Sequence, residues 1–271
     1  MKKLIALLLA LVMIFTVAGC TIDSDKNDDN QKESTEGTKE STDSTGNQDD
    51  PAVKSEGVMT YAEYLAAEEN STVVIEAYVQ ATQSWWNDSI TIYAQDTEGG
   101  YFLYNITCSE ADAARLTKGT KIKVTGTRMT WAGEIEINGG TLEILEGNYV
   151  APITDVTSQL ASEDLASYMN RYVSFKGMTV VASTDADGNE AAFLYNWDGS
   201  GMEGSDSDLY FKASVGGNVY TFVIEYYLCG PDSDAYQAVQ ALEVGDVIDM
   251  EGFLYWYEGM QPHIISVKEA A

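Results

Sequence analysis

Basic residues, histidine and cysteine are all scarce in this chain of 271 residues. Fifteen lysines and arginines stand against 43 acids, for a net charge of −28. Such a balance repels polyanions, so nucleic acid is an unfavoured partner. The one histidine, His263, falls in the last strand region, where a lone imidazole is more often structural than a base or a ligand. No G-x-S-x-G, H-E-x-x-H or C-x-x-C pattern is present. Gly199-Ser-Gly201-Met-Glu-Gly204 matches G-x-G-x-x-G but lacks the strand before and the helix after that a dinucleotide site requires. These absences leave no residues to carry catalysis: neither an enzyme nor a cofactor is expected. The apolar run Leu4 to Val17 has 14 residues, too few to span a bilayer as a stable helix.

That run nevertheless has an order. Met1-Lys2-Lys3 precedes it, and Val17-Ala18-Gly19-Cys20 follows, which is the layout of a signal peptide. The end resembles the bacterial lipobox. The resemblance implies cleavage before Cys20, a lipid on the Cys20 sulfur, and residence on the outer face of the bacterial cytoplasmic membrane. The alternative is an ordinary secretory signal with a chance cysteine. Two or more acyl chains on one residue suffice for stable anchoring. After it, residues 20–57 form an acidic linker expected to be disordered, because it holds too few apolar groups to offset its ordering entropy. Its 37 residues after Cys20 would span roughly 35 Å as a flexible coil.

The rest is duplicated. Leu116, Gly119, Ile122, Val124, Gly126 and Gly133 recur as Leu242, Gly245, Ile248, Met250, Gly252 and Gly259, each 126 positions later. A fixed offset over six positions marks an internal repeat. Residues 58–150 and 151–271 are therefore two units, the second with an insertion at about 184–208. In unit one, alternating runs predict strands at Val73–Val79, Ser89–Gln95, Tyr101–Ile106, Lys121–Met129 and Glu134–Leu145, the last with a bulge at Gly139-Gly140. A short helix begins at Ser109. Unit two repeats the plan: a helical prelude at Leu160–Met169, strands at Val173–Gly177, Leu209–Ser214, Val219–Leu228, Val247–Trp256 and His263–Val267, and a helix at Tyr236–Leu242. Three strands, a helix, then two strands resembles the OB-fold. The resemblance implies an all-β protein with short helices: two tandem five-stranded barrels. A β-sandwich is the other architecture that short alternating strands allow.

Aromatic residues are plentiful, with 17 Tyr and 5 Trp. In an OB-fold, the loops between strands one and two and between strands four and five flank the ligand face. Trp85 and Trp86 fall in the first of these loops and Trp131 in the second, with Tyr104 on the third strand between them. Unit two offers Trp197, Trp256 and Tyr257 at matching places. Rings there suit stacking on sugars or bases. They equally suit capping the barrel as core, and Trp256 has inward parity. Trp85 and Trp86 are the ones expected to be exposed. Arg115, Lys118, Lys121, Lys123 and Arg128 hold all the positive charge of unit one, a stripe for a polyanion, for unit two, or for solvent alone. Asp185, Asp187, Asn189 and Glu190 have calcium-ligating oxygens, but Asp-Gly-Asn is also ordinary turn chemistry, and the turn is preferred. Cys108 and Cys229 occupy equivalent places and are expected as free thiols. The function that fits is an extracytoplasmic, lipid-anchored binding module for a glycan or a surface protein. The alternative is a nucleic-acid-binding OB-fold protein.

Overall fold

In the computed structural model, which describes residues 50–270, β1 (Thr72–Thr82) alternates Val73, Ile75, Ala77 and Val79 inward, all fully buried. It pairs with β2 (Ser89–Gln95), which pairs with β3 (Gly100–Thr107). The chain then crosses through α2 (Glu110–Ala113), capped by the Ser109 hydroxyl accepting from the Asp112 N–H. It returns as β4 (Thr120–Trp131) and β5 (Glu134–Asn148). β5 lies parallel to β3, and β4 pairs back onto β1, so the order β1-β2-β3-β5-β4 closes on itself. This is the OB-fold barrel, and closure removes the sandwich alternative. Helix α1 (Tyr61–Ala66), started by a Thr60–Glu63 capping box, delivers Tyr64 to the core.

The second copy follows β6 (Thr154–Asp155) and repeats the plan. β7 (Tyr172–Val181) opens it, and an insertion carries β8 (Ser183–Thr184), β9 (Glu190–Ala191) and β10 (Phe193–Tyr195). β11 (Leu209–Val215), β12 (Asn218–Ile224), α3 (Asp234–Gln240), β13 (Val247–Phe253) and β14 (His263–Glu269) complete the set. β12 runs parallel to β14, and β11 pairs with β7 to close the barrel. Phe175, Phe211, Phe222, Ile248 and Met250 fill it.

The repeated glycines permit close strand approach. A Cβ on Gly126 would sit 2.4 Å from the Gly139 carbonyl oxygen, and one on Gly140 would sit 2.0 Å from that of Thr125. The register skips there, so the expected bulge at Gly139-Gly140 is a kink inside one continuous strand. Gly252 plays the same part against the His263 carbonyl, 2.2 Å from a hypothetical Cβ.

Several expected boundaries move. Residues 51–57 are not part of a free linker: Lys54 ion-pairs with buried Asp96, and its Nζ donates to the Glu76 carbonyl at 2.7 Å. The prelude of unit two is two 3-10 turns, Thr157–Gln159 and Glu163–Tyr168. The Ser162 hydroxyl caps a fresh turn between them, and Asn170 at φ 64° stops it. β12 ends at Ile224, where a turn begins, with the Glu225 carbonyl accepting from the Leu228 and Cys229 N–H groups. β13 ends at Phe253, ahead of Trp256. Cys20 and the apolar run lie outside the described residues.

The two barrels meet along an aromatic seam. Tyr93 and Phe102 on the outer face of the first pack with Tyr172 and Phe253 on the second, all 5% exposed or less. Tyr93 stacks on Phe253 with centroids 4.5 Å apart. Burial of each such ring contributes roughly 1.5–3 kcal/mol. Gly100 makes room for the Asn170 backbone, which a Cβ would meet at 2.2 Å.

Candidate nucleic-acid or glycan groove

Two short turns set the walls of a groove. Trp86 and Ser89 bridge each other at 3.0 Å in both directions, with Asn87 and Asp88 between them at φ 49° and 57°. Trp131 pairs with Glu134 across Ala132 and Gly133 at φ 50° and 95°. Positive φ at both central residues is what a tight type I′ hairpin demands. Each tryptophan thus stands at a corner and points to solvent, Trp86 79% and Trp131 58% exposed. Trp85, expected exposed, is not: its Nε1 donates to the Cys108 carbonyl at 2.7 Å, and its ring packs on the first core.

Between the corners lies the outer face of β2, β3 and β5. One hollow of about 490 Å³ is lined by Phe102, Tyr104, Trp131, Glu136 and Asn138 of the first barrel and by Glu225, Tyr227, Tyr255 and His263 of the second. A second, of about 450 Å³, adjoins it and is lined by Trp85, Trp86, Thr91, Asn105, Asp206 and others. Gln83, Tyr104 and Tyr227 border both, making one continuous groove. Two hollows of about 570 and 540 Å³ on the second barrel are less suited, with Tyr220 the one aromatic ring between them.

Hydrogen bonds hold the two sides together. The Ser84 N–H donates to the Tyr227 carbonyl at 2.8 Å, and Gln83 Nε2 donates to both Glu225 oxygens at 2.7 and 2.6 Å. The Tyr172 N–H donates to Gln95 Oε1 at 2.7 Å. Tyr93 Oη and His263 Nδ1 share a hydrogen bond of 2.6 Å, and Tyr255 stacks on the imidazole at 4.3 Å. Burial drives the His263 value down to about 3, so the ring is neutral and structural. Beneath the Trp131 turn, Glu134 accepts from the Asn170 side-chain amide and, at 2.9 Å, from the Trp256 N–H.

Of the residues singled out from sequence, Trp85, Trp86, Tyr104 and Trp131 come together here. Trp256 does not: it packs on the second core and against Gly133, as its inward parity allowed. Trp197, 75% exposed, and Tyr257, 45% exposed, lie outside the groove lining. Three of the five residues of the positive stripe pair with acids of the first unit. Lys121 is buried and pairs with Glu76 at 3.2 Å, Arg128 pairs with Glu69, and Arg115 pairs with Asp112 at 3.0 Å. Lys123 lies between Glu76 and Glu143 on the neighbouring strands. Lys118 alone of the five reaches unit two, 4.3 Å from the Tyr172 ring centroid. The Asp185 carboxylate accepts from the Asp187 and Asn189 backbone N–H groups at 2.9 and 2.8 Å, closing the β8–β9 turn. No group of three or more His, Cys, Asp or Glu side chains that could hold a metal occurs among the described residues, Asp187 and Glu190 included, and Asn189 Nδ2 donates to the Asp185 carboxylate at 3.0 Å. Cys108 and Cys229 are free and buried.

Sequence reading missed Phe102, Glu136, Asn138, Glu225, Tyr227 and Tyr255. An outward-facing aromatic in a strand was the available signal, for Phe102 most plainly: Tyr101 and Leu103 on either side of it face the core.

No known protein family and no curated protein sequence matches the chain. Among solved structures, the p204 HINb domain aligns over 75% of this chain and 99% of its own, at 12% identity and a TM-score of 0.31. A murine DNA binding protein bound with double-stranded DNA aligns over 73% and 96%, at 10% identity and 0.34. A deletion mutant of the single-stranded DNA binding protein from Thermus aquaticus aligns over 74% and 94%, at 10% identity and 0.23. At these scores none carries an argument, and the barrel assignment rests on strand order.

Burial pushes two seam carboxyls up from an ordinary value of 4.5, Glu134 to about 8 and Glu225 to about 7. Both favour the protonated form when folded. Their stabilising contribution is full below about pH 4.5 and is lost as pH rises through about 7 and 8. The melting temperature should therefore fall between about pH 5 and 8. The fall should persist in high salt, which screens repulsion among surface acids but not these buried groups. A melting temperature independent of pH in high salt would contradict this reading.

Proposed function

We propose that this chain is a non-catalytic binding module and that the seam groove holds a glycan. The observation that carries the reading is the alignment of Trp86, Tyr104, Trp131, Tyr227 and Tyr255 along one groove whose lining has no lysine or arginine. Flat rings at exposed corners stack on the apolar faces of sugar rings, and Thr91 and Asn105 beside them offer polar groups to sugar hydroxyls. Stacking alone would also suit bases. A nucleic acid needs cations along its backbone path, however, and here the groove offers acids. We further propose that the module acts outside the cell, tethered through a lipid on Cys20.

The test is retention on immobilised neutral oligosaccharides, with single-stranded DNA in parallel. Trp86→Ala and Trp131→Ala should each weaken glycan binding about tenfold, at roughly 1–3 kcal/mol per stacked ring. Trp197→Ala should leave it unchanged. DNA binding that weakens steeply with salt, or no glycan retained at all, would overturn the reading. Product released from the oligosaccharide during the assay would contradict its non-catalytic part. For the anchor, palmitate should label the wild-type chain in a lipoprotein-processing bacterium and not Cys20→Ala; equal labelling of both would refute it.

A further inference from the structure

The groove lining holds three carboxyl groups and no lysine or arginine. Glu136 and Glu225 line its inner half and Asp206 its outer rim. The amides beside the two glutamates are already engaged. Asn138 Nδ2 donates to Glu136 Oε1 at 2.9 Å, and Gln83 Nε2 donates to both oxygens of Glu225. Glu136 is 4% exposed, and its second oxygen has no partner among the described residues. That oxygen borders the hollow, where a donor from a ligand can reach it. The neighbouring rings, Tyr104, Trp131, Tyr227 and Tyr255, add the negative faces of their π systems.

Resting on the glycan reading above, we propose that the inner groove takes a protonated amine, so that the preferred ligand is a glycan carrying free amino groups. An ammonium brings three donors and a positive charge, the complement of these carboxyl groups. It gains from carboxylates and ring faces together, each strengthened by partial exclusion of water. A neutral sugar satisfies the rings and leaves the second oxygen of Glu136 short of a charged partner. An acidic sugar meets three carboxyl groups and no base. Burial holds Glu136 and Glu225 toward their protonated forms, so a bound ammonium draws both toward the carboxylate and releases protons.

The experiment is calorimetric titration of the wild-type protein at about pH 6.5 and roughly 150 mM salt, where surface attraction is screened. The probes are a β-1,4-linked glucosamine tetramer and its fully N-acetylated counterpart. The amine-bearing tetramer should bind about tenfold more tightly, the factor that one cation–π or charge-assisted contact supplies. Glu136→Gln should reduce the preference to near unity with little change in melting temperature, and Asp206→Asn, at the exposed rim, should reduce it less. Equal or tighter binding of the acetylated tetramer overturns the amine preference while leaving a glycan groove in place. A preference that survives Glu136→Gln also overturns it, by assigning the effect to the overall acidity of the chain. Binding of neither tetramer, nor of any neutral oligosaccharide, removes the glycan reading and this one with it.

Discussion

Tyr93 lies fully buried between two barrels, stacked on Phe253 of the second and hydrogen-bonded to His263. Much else depends on that placement. A closed OB barrel keeps its core inside and usually presents the outer face of strands two and three to a ligand. Here part of that face is covered by the second barrel. The cover is apolar at its centre, through Phe102, Tyr172 and Phe253, and hydrogen-bonded at its edges, through Gln83, Gln95 and Glu134. Apolar burial supplies the strength, and the polar edge fixes the orientation.

The remaining, uncovered part of that face is the groove. Its floor is β3 and β5, its corners are the Trp86 and Trp131 turns, and its far wall is the segment from Glu225 to Tyr227 with Tyr255. Neither barrel alone forms it. The second barrel thereby converts an open sheet face into a two-sided cleft, and it brings carboxyl groups rather than cations to do so. The insertion at 182–208 contributes Asp206 to the rim, so the difference between the two repeats is partly used in the first repeat's site.

The barrels were legible in the sequence because their signals are local. Ile122 with Val124 and Ile248 with Met250 alternate inward, and Gly126 and Gly252 mark where two strands nearly touch. The seam was not legible, because an outward Tyr93 or Phe102 declares that something covers it without naming what. Trp85 and Trp86 show the limit well. They are adjacent and chemically identical, yet Asn87 and Asp88 at positive φ turn one outward while the other reaches the Cys108 carbonyl. The basic residues kept their partners hidden for a related reason. Their alternation on β4 was read correctly, but their partners, Glu69 and Glu76, come from β1 and the segment before it.

If the seam holds the groove in shape, the two barrels must unfold together. Differential scanning calorimetry of residues 50–270 tests this directly. One cooperative transition, with equal calorimetric and van't Hoff enthalpies, is the result expected of a single body. Two resolved transitions, one for each barrel, would show that the seam is dispensable and would contradict the account.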